Sequence, residues 1–115
     1  MTSGEFDQPN HAQLIESFGA DVTTSTDEAT EVRIPLDNGE SVVLQYNPLY
    51  RDARIRWIRD GACIFDISRE SVQAIVADER GFISIHTGGH GLVGELTLGL
   101  YPVRIVDSLL IDRQN

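Results

Sequence analysis

The chain has 115 residues, 41% of them apolar, which suits one core and one domain rather than several. Eighteen acids stand against nine bases, a net charge of −9 that argues against nucleic acid and against an anionic membrane surface as partners. No apolar run nears the roughly 20 residues of a membrane span, and the single cysteine, Cys63, excludes an internal disulfide.

Residues 1–9 carry acids, Gly and Pro and read as a flexible tail. They lack the basic and apolar stretches of a secretory signal, so a cytoplasmic location is expected. Residues 10–115 read as a single α+β domain. Asn10 is placed to cap a short N-terminal helix through Phe18, with Leu14, Ile15 and Phe18 on one face and Gly19 to end it. Ala20 to Thr30 holds four Thr and one Ser among acids, and leaves linker and weak edge strand both open.

From Glu31 the apolar residues alternate. Val32, Ile34 and Leu36 are followed by Asp37-Asn38-Gly39 and then by Val42, Leu44 and Tyr46. A three-residue loop pairs Ile34 with Val42 and Val32 with Leu44, and makes one face wholly apolar; a two-residue loop would split the apolar sets. The same logic after the Asn47–Asp52 loop gives a second hairpin, turning at Arg59-Asp60-Gly61. It pairs Trp57 with Cys63 and Ile55 with Phe65, and sets Asp66 across from Arg54. Cys63 is then a core thiol beside Trp57, inert rather than reactive.

Ser68 reads as the cap of the main helix, 69–80, with Val72, Ile75 and Val76 on one face and Ile67 stapled onto Val72. Gly81 ends it. Phe82 to Thr87 is a strand, the glycine-rich run 87–91 a connection, and Leu92 to Tyr101 a long strand broken by Pro102. Val103 to Ile111 follows, apolar on both faces, so that it lies centrally or is covered by something else. Burying that second face makes a symmetric homodimer the economical arrangement.

The fold expected is therefore α+β: a single curved antiparallel sheet of about six or seven strands, with helix 69–80 packed across it and the short N-terminal helix at one end. Ile55, Trp57, Phe65, Ile67, Val72 and Val76 are the expected core.

Chemistry-bearing residues are sparse. His86 and His90 flank Thr-Gly-Gly but have no fixed third ligand, so no metal and no cofactor is expected. The glycines of 88–94 precede a strand rather than a helix, and no Lys follows them, unlike a phosphate loop. No serine sits in a Gly-x-Ser-x-Gly elbow, and no catalytic residue is assigned. Arg51, Arg54, Arg56 and Arg59 gather four of the nine bases beside Tyr50 and Trp57. Arg54 and Arg56 share a strand face and suit an anion, or the acids of their own sheet. Two expectations follow. One is a non-enzymatic binding or regulatory module, of an immunity-type or chaperone-like kind, whose acidic surface engages a basic protein partner. The alternative is a small-ligand or enzymatic pocket under the sheet, lined by Tyr50, Arg54, Arg56, His86 and His90.

Overall fold

In the structure, a computed structural model, residues 6–89, 92–100 and 103–111 are described. Among these residues one α-helix, α1 (His11–Phe18), precedes nine strands, and a single 3-10 turn lies at Asp37–Gly39. Strands β1 (Asp21–Thr24), β2 (Thr30–Pro35), β3 (Glu40–Asn47), β4 (Asp52–Arg59) and β5 (Ala62–Arg69) form one antiparallel sheet in chain order. Strands β6 (Val72–Asp78), β7 (Phe82–Gly89), β8 (Leu92–Leu100) and β9 (Val103–Ile111) form a second, again in chain order. Strands make up 66% of the described residues, so the expected α+β class with a single sheet is replaced by a mostly-β fold of two sheets.

The two sheets share one core. Val32, Ile34, Val42, Leu44 and Ile55 of the first pack with Val72, Ile75, Ile83, Ile85, Leu96 and Leu98 of the second. Leu14 and Phe18 of α1 join the same cluster. The helix forms as its sequence dictates: the Asn10 side chain accepts from the Gln13 amide at 3.1 Å, and Gly19 turns left-handed at φ 65°. Ile15, expected on its inner face, is half exposed. The first hairpin has the expected register, Ile34 opposite Val42 and Val32 opposite Leu44, with Gly39 at φ 76°. The stretch from Ala20 is resolved in favour of an edge strand, β1.

Helix 69–80 does not exist; its residues finish β5 and form β6. A bulge is the physical reason. Val72 pairs with Thr87 and Ala74 with His86, so Gln73 is an extra residue in the strand. That insertion returns Val72 and Ile75 to the same face, a three-residue spacing that imitates a helix. Val76 consequently points outward and is 51% exposed, not core. Gly88 lies under the bulge, where a Cβ would come within 2.7 Å of the terminal amide of Gln73, a flexible side-chain end that can swing aside.

A second bulge corrects the second hairpin. Its loop has two residues, Asp60 and Gly61, both left-handed at φ 51° and 79°. Arg59 pairs with Ala62 and Ile58 with Cys63, then the register shifts past Ile64, so that Trp57 meets Phe65 and Ile55 meets Ile67. Cys63 is exposed rather than buried beside Trp57. Trp57 and Phe65 are half-buried, Trp57 donating its indole N–H to Glu40 at 2.8 Å.

Of the tail expected over 1–9, residues 1–5 lie outside the described residues. Phe6 stacks on Tyr46 with ring centroids 5.8 Å apart, and Asp7 bridges to Ala74 on the free edge of β6. The last strand, β9, pairs only with β8 among the described residues and is thus an edge strand, not a central one. Its Val103 and Ile105 pack on the core, while Val106 faces away.

Candidate functional site

The five candidate residues do not share one pocket. Arg54 and Arg56 lie on the outer face of the five-stranded sheet, two residues apart on β4. His86 lies on the outer face of the other sheet, opposite Glu95, with Nε2 3.9 Å from the carboxylate. His90 lies outside the described residues. Tyr50 stands in the turn between β3 and β4, 70% exposed.

The arginines are largely occupied by their own sheet. Arg54 grips Asp66 with two hydrogen bonds of 2.8 and 2.5 Å, diagonally across β4 and β5. Chiefly through those bonds, the guanidinium holds the Asp66 carboxyl below the usual carboxylate range. Arg56 donates to Gln45 at 3.0 Å. Arg59 pairs with Glu40 at 3.0 Å and lies 5.4 Å over the Trp57 ring. Among the described residues, no three metal-ligating side chains converge.

What the fold does assemble is the end of the molecule around the β3–β4 turn. Asn47, nearly buried, accepts from the amides of Leu49 at 2.8 Å and Tyr50 at 3.2 Å through its side-chain oxygen. Its amide nitrogen donates to the Asp27 carbonyl at 3.3 Å, and its backbone carbonyl accepts from Arg51 at 2.8 Å. Arg51 is left-handed at φ 56°, and its carbonyl accepts from Val72, next to Ser71 at φ 58°. Two non-glycine residues in that region, tied through consecutive hydrogen bonds, make a constrained corner.

Two clefts flank the turn. One of about 450 Å³ runs along the strand ends past Tyr46, Asn47, Arg54, Ser68 and Arg69. The other, about 470 Å³, lies between Tyr50, Arg51 and Ser71. Both are lined by Asp52 and Glu70. Arg69 also reaches the four-stranded sheet, where it pairs with Asp107 and closes a third hollow of about 320 Å³. Tyr50 and Arg54 are thus brought to neighbouring clefts, while Arg56 and His86 are not. Sequence reading missed Asp52 and Glu70, which meet only because the β5–β6 corner folds back on the turn. Asn47 carried a legible signal, as an Asn before Pro-Leu-Tyr at the end of an alternating strand.

No protein-family model matches the chain, and no curated protein matches it. Among solved structures, it is similar to a chain of the contact-dependent growth inhibition toxin–immunity protein complex from Klebsiella pneumoniae 342. The TM-score is 0.77 at 14% identity, covering 91% of this chain and 97% of that one. That likeness is one of fold.

Proposed function

We propose that this chain is an immunity-type protein, a small non-catalytic binder that works in the cytoplasm by covering a basic surface of one toxin-like protein. The observation that carries this reading is the shared fold over nearly the whole length of both chains with a member of a toxin–immunity complex. The charge supports the immunity role over the toxin role. Arg54, Arg59, Arg69 and Arg80 are each tied to an acid of the chain itself, which leaves the surplus of −9 to face outward. Such a surplus steers a basic partner and speeds encounter.

The test is capture of partners by the tagged chain at low salt, followed by growth assays with the captured protein. A basic protein that slows growth when expressed alone, and is silenced by co-expression of this chain, is the expected result. Its association rate falls as added salt shortens the Debye length below about 8 Å. Growth arrest caused by this chain alone would reverse the roles and overturn the reading.

A further inference from the structure

We propose that the β3–β4 turn is the anchor of the partner interface, with Leu49 and Tyr50 entering an apolar pocket of a basic protein while Asp52 and Glu70 receive its Arg or Lys side chains. This rests on the protein-binding reading and adds where the partner sits. Leu49 is 65% exposed and Tyr50 70%, more than any other large apolar residue described. They are adjacent and stand at a projecting turn, whereas the remaining exposed apolar side chains lie on strands or on α1.

Three features distinguish the turn from an incidental apolar tip. First, it is pre-organised: the Asn47 side chain and the Arg51 backbone fix it, so little ordering is left for binding to do. Second, its rim carries more acid than base, with Arg51 of the turn set against three carboxylates. Asp27, Asp52 and Glu70 are exposed and have no ion-pair partner among the described residues, unlike Asp66 or Asp78. The Asp27 carboxyl is held below its ordinary range by the Ser25 hydroxyl and so stays charged. Third, the two clefts beside the turn share Asp52 and Glu70, giving room for long cationic side chains next to a carboxylate. An aromatic and an aliphatic anchor inside a charged rim is the anatomy of a binding hot spot. Charge complementarity selects a basic partner, because an acidic one would meet three carboxylates set against the single guanidinium of Arg51 in the turn.

The test places a photo-crosslinking phenylalanine analogue at Tyr50 and, separately, at Phe82 and Val106 on the outer face of the four-stranded sheet. Cells expressing each variant are irradiated, and the covalent products are identified by mass. The expected result is one basic protein captured through position 50 and not through 82 or 106. With that protein purified, Tyr50→Ala and Leu49→Ser each weaken binding by at least roughly 30-fold, and Asp52→Asn with Glu70→Gln flattens the salt dependence. The melting temperatures of all three variants stay at the wild-type value. Capture through 82 or 106 instead, or unchanged binding by Tyr50→Ala, would overturn this docking surface and leave the protein-binding reading intact. No capture at any of the three positions would overturn both.

Discussion

On the outer face of the five-stranded sheet, Arg33 and Arg56 flank Val43, which is fully buried although it points away from the shared core. Arg54 and Asp66 lie beside them in a two-bond pair. The outer face of the four-stranded sheet is built differently. Val76, Ser84, Thr97 and Val106 make an uncharged row, and in the next row Phe82 folds over Gly99 with a ring carbon 3.2 Å from where a Cβ would stand. The first face covers apolar surface with arginine stems; Arg33 lies 3.8 Å from Glu31, while Arg56 donates to the neutral Gln45 and keeps its buried Nε without a hydrogen-bond partner among the described residues. The second leaves half-exposed apolar groups without a cover among the described residues. Neither face projects a rigid anchor. The turn at their common end does, which is why binding is assigned there rather than to either broad surface.

The faces differ, but the core behind them is one, and the largest expected effects test that. Ile55→Ala in the first sheet and Leu98→Ala in the second each remove a fully buried side chain from the shared cluster. Each is expected to cost about 2–5 kcal/mol, within a single unfolding transition seen alike by circular dichroism and Trp57 fluorescence. Two separate transitions would mean that the sheets are independent and the comparison is between two units.

A smaller loss is expected at Trp57, which is half-buried and hydrogen-bonded to Glu40 rather than enclosed. Trp57→Ala is expected to cost about 2 kcal/mol by denaturant melts, below the range for a fully buried aromatic. A loss at the top of that range would mean that the open side of the five-stranded sheet is better sealed than its exposure indicates.

High pH probes the sealed end, where Tyr46 lies under Phe6 and bonds His11 at 2.9 Å. Burial pushes the Tyr46 phenol up to about 12 from an ordinary 10.0. The folded value is the higher one, so its contribution to stability is complete below pH 10 and is lost as pH rises toward 12. A late phase in the ultraviolet tyrosine titration, absent in Tyr46→Phe, checks this; the same late phase in the variant would assign it elsewhere.

These differences were legible in the sequence only where the period ran unbroken. The first hairpin and the N-terminal helix follow from residues alone, because alternation and caps agree with the fold. Both errors came from a single inserted residue. Gln73 restored Val72 and Ile75 to one face and so counterfeited a helix, and Ile64 shifted Cys63 out to solvent. The β-branched pair Ile75-Val76 was the available warning, since such residues favour strands. At the site, Tyr50 was visible as a loop aromatic, but Asp52 and Glu70 converge only through the corner between the two sheets.

On the uncharged row, Val76→Thr and Val106→Thr are expected to change stability by no more than about 0.5 kcal/mol each, since both side chains are about half exposed. A loss well above that, growing with protein concentration, would reveal a second copy seated on this face.

The smallest expected effect is at the Arg54–Asp66 pair. Both groups are exposed, so removing the pair leaves the neutral-pH melting temperature nearly unchanged; surface ion pairs exchange one solvated arrangement for another. The pair is visible in titration instead. Asp66 has a folded-state value below its ordinary 3.8, first through the hydrogen bonds from Arg54. The sign follows: whatever the pair contributes is present above that ordinary value and disappears as pH falls through the folded one. Arg54→Ala is expected to move the Asp66 carboxyl resonance midpoint upward in NMR titrations. A midpoint that stays low without Arg54 would transfer the effect to Arg56, the direct register neighbour of Asp66, and would mean that the charged face is held by a network rather than by one pair.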